Sequence, residues 1–188
     1  MDKPYKMKQV ILCLTMTFLS SAMINAQPTA QTADEILRTA SEKAAKENKN
    51  VFVMFHASWC GWCHKMDYSL NDPACKKFFD DNYVICHLVV DESKDKKNLE
   101  NPGAAELRTK YYGDGQGIPF WLVFDKDGKL LADSKKRKEG AAADTGDNIG
   151  CPATEEEVTN FVSILKMTSR LKDDQLAIIQ KRFRENDK

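Results

Sequence analysis

The chain has 188 residues, and lysine plus arginine equal aspartate plus glutamate at 28 each, so its formal net charge is zero. That balance argues against nucleic acid or an acidic membrane surface as the main partner, because both are held by an excess of basic side chains. The length is that of one domain able to bury a sizeable core, so its six cysteines are not needed merely to hold it together.

In chain order, Lys3, Lys6 and Lys8 precede an apolar stretch from Val10 to Leu19, followed by small residues and Ile24-Asn25-Ala26. This is the three-part form of a secretory signal peptide, expected over 1–26 with cleavage after Ala26. The stretch is shorter than the roughly 20 residues of a spanning helix. Cys13 lies inside it and would leave with the signal, and the bulky Leu12 before it does not suit a lipoprotein cleavage box. Nothing later is apolar enough to span a membrane, so residues 27–188 are expected as a single periplasmic or secreted domain without stable membrane insertion. Five cysteines remain there, an odd number that leaves at least one thiol unpaired in any intramolecular scheme.

Thr32 with Glu35 reads as a capping box, and Leu37, Ala40 and Ala44 recur at helical spacing, predicting a first helix over 32–48. Val51 to Ala57 is nearly continuous in apolar residues, as in a strand covered on both faces. A helix follows from Cys60, and Asp72-Pro73 reads as an N-cap and first helical position restarting a short helix through Phe79. Tyr83 to Asp91 suits another inner strand. A charged loop over 92–97 leads to Asn101-Pro102, which restarts a helix ended by Gly113 to Gly117. Phe120 to Phe124, the turn Asp125 to Gly128 and Lys129 to Asp133 read as a β-hairpin. Residues 134–150 are expected as a loop, with Lys135-Lys136-Arg137-Lys138 a solvated surface. Thr154 with Glu157 caps a further helix, and Leu176, Ile179 and Phe183 mark a last one. Strand–helix alternation of this kind implies a three-layer α/β sandwich.

The chemistry concentrates at Cys60-Gly61-Trp62-Cys63. At a helix N-terminus the unpaired backbone N–H groups favour a thiolate at the first cysteine, making Cys60 the candidate nucleophile. A two-residue gap puts Cys63 one turn on, close enough to close a disulfide.

Trp59 to Lys65 on a strand-to-helix junction, with Gly117-Ile118-Pro119 and a hairpin about sixty residues later, resembles the thioredoxin-like family, most closely its secreted or periplasmic members. The resemblance spans roughly 32–170. It implies a thioredoxin-like α/β/α sandwich with a central mixed sheet and an extra N-terminal helix, and thiol–disulfide exchange by Cys60 and Cys63 without a cofactor. It also implies a cis Ile118–Pro119 bond lying against the two cysteines, with the backbone of Ile118 offered to substrate. Trp59, Gly61, Trp62 and His64 would support the pair, His64 as a cation beside the thiols or as an exposed helix residue. Partners would be protein thiols or disulfides and an unidentified electron donor or acceptor. Ile118 before the proline is the residue of reducing thioredoxins, which favours a disulfide reductase over an isomerase or oxidase. One departure stands out: the family usually keeps a buried carboxylate six residues before the first cysteine, and here that residue is Met54, so His56, His64, another carboxylate or water would move the proton.

Other readings stay open. Cys60 to His64 also spells a c-type haem attachment signal, although that signal leaves the preceding strand and later hairpin unexplained. A zinc site would draw on Cys60, Cys63 and two of Cys75, Cys86, His64 or Cys151, without the usual second ligand pair. A binding module with a structural disulfide is the plainest alternative. Cys86 reads as a small buried apolar residue, and His56 and His87 as core or edge residues. Cys75 and Cys151 could pair with each other, which spacing alone does not decide.

Overall fold

A computed structural model describes residues 30–187. The signal segment expected over 1–26, with Cys13, lies outside them. The chain runs through α1 (Ala33–Glu47), β1 (Asn50–His56), α2 (Gly61–Leu70), α3 (Lys76–Asn82) and β2 (Tyr83–Val89). A 3-10 helix (Lys94–Leu99) and α4 (Ala104–Lys110) lead to β3 (Phe120–Phe124), β4 (Leu130–Asp133), β5 (Lys135–Lys136) and β6 (Asp147–Asn148). The described chain closes with α5 (Glu155–Thr168), α6 (Asp173–Arg184) and a short 3-10 turn (Glu185–Asp187).

The main sheet has the order β2-β1-β3-β4, with β1 parallel to β2 and antiparallel to β3. Because side chains alternate along a strand, β1 and β3 each contribute to both faces. Phe52, Met54, Trp121 and Val123 point to a core shared with α2, α3, α5 and α6, where Trp121 stacks on Phe52 at 5.4 Å and meets Phe161 edge-on at 5.5 Å. Val51, Val53, Phe55, Phe120 and Leu122 point to the opposite core, closed by Ala33, Ala40 and Ala44 of α1 and Ala104 of α4. Small residues on α1 let that helix lie close to the sheet. This is the mixed-sheet sandwich with an N-terminal helix that the family resemblance implies.

The local signals fix most boundaries. Thr32 and Glu35 form the reciprocal cap of α1, Thr154 and Glu157 that of α5, and Asn48 in the left-handed region ends α1. Four expectations need correction. Asp72 does not cap α3: its carboxylate accepts from the Ala74 amide and its carbonyl from Cys75 and Lys76, so Asp72-Pro73 makes a separate turn and the helix begins at Lys76. Asn101 does not start α4 as a cap. Its side chain accepts from the Val89 amide and donates to the Gln31 carbonyl, tying the end of β2 to the entry of α1. The charged loop over 92–97 contains a 3-10 helix whose sequence carries no apolar periodicity to announce it.

The fourth correction concerns 134–150. This segment is not only a loop: β5 and β6 pair antiparallel, Lys135 with Asn148 and Lys136 with Asp147. Nor is its basic run uniformly solvated. Lys135 is only 3% exposed and donates to the carbonyls of Ala143 at 2.5 Å and Tyr112 at 3.4 Å, while Arg137 pairs with the buried Asp133 at 2.7 Å. These side chains hold the insertion together from inside, a role that depends on which carbonyls the fold brings near. Gly146 closes the turn at a φ of 87°, where a Cβ would lie 2.4 Å from the Lys136 carbonyl oxygen.

Candidate active site

The strand directions assemble the site. Since β1 and β2 run parallel, their C-terminal ends share one edge of the sheet, and the Val90 amide donates to the His56 carbonyl there. Since β3 runs antiparallel, its N-terminal end reaches the same edge, with Phe120 opposite Phe55. The residues after His56, those after Val89 and those before Phe120 therefore converge on one spot.

At that spot Cys60 is the N-cap of α2, and its sulfur accepts the Cys63 amide at 3.1 Å. Cys60 and Cys63 form a disulfide with an S–S distance of 2.03 Å and Cα atoms 5.2 Å apart. Cys63 is fully buried and Cys60 keeps 3% exposure, so the opening onto the disulfide is narrow and lies at Cys60. The Ile118–Pro119 bond is cis, and the Ile118 carbonyl oxygen lies 3.6 Å from the Cys60 sulfur. A disulfide sulfur has no proton to donate; a reduced Cys60 in this place would have that carbonyl as its acceptor.

The flanking tryptophans are open to solvent, Trp59 at 59% and Trp62 at 49%. Trp59 does not pack under the helix; its indole N–H donates to the Asp91 carbonyl at 2.8 Å. Lys65 sits 4.6 Å from the centre of the Trp62 ring and donates to the Asn186 carbonyl. Gly61 is exposed, with open space where a Cβ would stand. His64 is exposed and its Nε2 lies 3.1 Å from the Ser58 carbonyl oxygen, an acceptor, so that nitrogen carries the proton.

Met54 is buried in the core on the α2 side. A buried carboxylate nonetheless reaches the loop before Cys60. Glu92 accepts from the Ser58 amide at 2.5 Å and the Ser58 hydroxyl at 2.9 Å, and Asp91 beside it pairs with the buried Arg108 at 2.6 Å. Burial raises the Glu92 pKa, but the two Ser58 bonds, with Lys96 and His56 nearby, outweigh it and hold the carboxyl below its usual range. Sequence reasoning left Glu92 in a charged loop; the signal that could have found it is its place three residues past the end of a strand parallel to β1.

The remaining histidines form a half-buried cluster beside α2. His56 and His87 face each other with ring centres 5.0 Å apart, and His87 Nε2 lies 2.8 Å from the Asp67 carboxylate. Burial, then the neighbouring His87, depresses the His56 pKa against the opposing pull of Asp67 and Glu92. Cys75, Cys86 and Cys151 are free thiols. Burial pushes them up, Cys75 to about 11 and Cys86 and Cys151 to about 12. Cys75 and Cys151 are buried without pairing, and Cys86 is half-buried against the α1 core.

A disulfide at the N-terminus of a helix, beside a cis-proline turn on a mixed four-stranded sheet, defines a thiol–disulfide oxidoreductase of the thioredoxin fold. The chain belongs to the thioredoxin-like family, whose model matches residues 33–126. Among solved structures it is similar to a disulphide isomerase from Xylella fastidiosa Temecula1, at 22% identity over 58% of this chain and 77% of that one, with a TM-score of 0.45. It is also similar to a DsbH oxidoreductase (23% identity, 77% and 93% covered, TM-score 0.43). A third is the oxidised C-terminal domain of DsbD from Neisseria meningitidis (23%, 55% and 84%, 0.38). No curated protein matches the chain significantly.

Proposed function

We propose that the protein is an extracytoplasmic disulfide reductase in which Cys60 is the nucleophile and Cys63 the resolving thiol. The observation that carries the assignment of roles is the Cys63 amide directed at the Cys60 sulfur, together with the complete burial of Cys63. An N–H aimed at sulfur favours the thiolate over the thiol, and only a sulfur with an opening can meet a second protein.

Reduced, the pair works in two displacements. The Cys60 thiolate attacks one sulfur of a substrate disulfide, forming a mixed disulfide while the other substrate sulfur leaves as a thiolate and takes up a proton. Cys63 loses its proton and attacks the Cys60 sulfur, closing the Cys60–Cys63 bond and releasing the second substrate thiolate. Two electrons pass to the substrate, and an external dithiol must reduce the pair before another turn. The same steps reversed oxidise a dithiol. Ile118 before the cis proline supports the reducing direction, and the signal-like segment over 1–26 supports an extracytoplasmic place. No helix among the described residues is long and apolar enough to cross a membrane.

A redox titration of the pair against glutathione tests the direction: a strongly negative potential is expected, and a strongly oxidising one overturns the reductase reading. Cys60→Ala is expected to abolish insulin reduction, while Cys63→Ala accumulates the mixed disulfide, visible as a mass adduct on Cys60. Refolding of scrambled ribonuclease separates isomerase from reductase activity.

A further inference from the structure

The insertion between β4 and α5 is joined to the cis-proline turn largely through one side chain. Asn148, the last residue of β6, directs Nδ2 at the carbonyl oxygens of Pro119 at 3.0 Å, Gln116 at 3.1 Å and Gly117 at 3.4 Å. An amide nitrogen has two hydrogens, so the longest of these shares a hydrogen with a neighbour. The Asn148 backbone N–H donates to Gln116 Oε1 at 3.2 Å, and its Oδ1 accepts the Gly150 amide at 3.0 Å. Gly150 has a φ of 54°, and a Cβ there would lie 3.5 Å from the Pro119 carbonyl oxygen.

Carbonyls on both sides of Ile118 are thus occupied. Among the described residues the Ile118 N–H has no hydrogen-bond partner, and its carbonyl faces only the Cys60 sulfur. Ile118 and Pro119 line a groove of about 390 Å³ together with Trp62 and Ile149 to Cys151. An extended chain entering such a groove gains main-chain hydrogen bonds only where the backbone is both unpaired and held still.

We propose that Asn148 is a positioning residue for peptide disulfides: it takes up the carbonyls flanking Ile118 and holds the turn, so that the Ile118 backbone alone is presented to an extended substrate. The insertion, rather than the four-stranded sheet, then sets the grip on substrate. The inference rests on the reading of Cys60 and Cys63 as the exchanging pair.

The test compares wild type, Asn148→Ala and Asn148→Asp on a peptide disulfide, with amide hydrogen exchange alongside. Aspartate keeps an acceptor for Gly150 but has no hydrogen for the three carbonyls, so both variants are expected to raise KM about tenfold with kcat within about twofold. Exchange at Gln116, whose N–H is bonded to the Gly113 carbonyl, and at position 148, whose N–H is bonded to Gln116 Oε1, should quicken by about tenfold in both, while the potential of the Cys60–Cys63 pair stays at its wild-type value, which a misfolded site would not preserve. An Asn148→Asp protein with wild-type KM overturns the proposal, because the residue then serves only the Gly150 turn. Unchanged KM and exchange in both variants overturn it too. A wild type that reduces neither this peptide nor a small aromatic disulfide sinks the underlying reading of the site, an outcome distinct from any change in the variants.

Discussion

Glu92 and His56 show how single groups near the site depend on their surroundings. Glu92 gives both carboxylate oxygens to Ser58, two residues before Cys60. Glu92→Gln weakens this clamp, and a loss of about 1–2 kcal/mol of stability is expected at pH 7 from urea unfolding. The sign with pH follows from the lowered pKa: the charged form's contribution is complete above the ordinary glutamate value near 4.3 and disappears as pH falls through the lower folded value. The two proteins should therefore converge in acid. His56 behaves similarly for a different reason. Its folded pKa lies below the ordinary value of about 6.5, so in the window beneath that value the unfolded chain binds the proton more readily. Thermal melts from pH 7.5 downward should show stability falling through this window, and His56→Asn should flatten the fall. The groups facing that ring are His87, Asp67, Glu92 and His64; a variant with the wild-type slope would assign the dependence to them instead.

At the scale of elements, caps and turns carry stability that the apolar core does not. Thr154 and Glu157 satisfy two otherwise unpaired donors at the start of α5. Thr154→Ala is expected to cost about 1 kcal/mol, read as a lower urea midpoint with unchanged slope. Gly146 is a sharper case. Its positive φ and the closeness of the Lys136 carbonyl leave no room for a side chain, so Gly146→Ala should destabilise by at least about 1 kcal/mol and quicken amide exchange in β5 and β6. If the insertion holds the cis-proline turn through Asn148, the same exchange should spread to Gln116, whose N–H is bonded to the Gly113 carbonyl.

For the molecule as a whole, thiol chemistry separates by depth. The redox pair lies at the sheet edge where β1 and β2 end and β3 begins, whereas Cys75, Cys86 and Cys151 sit in or against the two cores and ionise far above neutral pH. After mild reduction, brief alkylation at neutral pH is expected to modify Cys60 first. Cys75, Cys86 and Cys151 should react only in denaturant, as peptide mass mapping can show. Rapid native labelling of Cys151 would mean that the groove it lines with Ile118 and Pro119 opens.

Much of this was legible along the chain because it depends on neighbours in sequence. Thr32 with Glu35 and Thr154 with Glu157 announce helix starts, the apolar runs at Val51 and Phe120 announce strands, and the two-residue gap from Cys60 to Cys63 announces a bond that can close within one turn. The cis-proline turn opposite the disulfide was expected through family resemblance, not from spacing. What tertiary structure alone decided is which distant polar groups meet. Lys135 reads as surface until Ala143 and Tyr112 bring their carbonyls to it, Glu92 reads as a loop charge until parallel pairing sets it beside Ser58, and Asn148 reads as nothing until it lies under Pro119. A side chain's period says which way it points, but only the folded backbone determines which unpaired donor or acceptor waits there, since buried polar groups are placed by the partners that satisfy them.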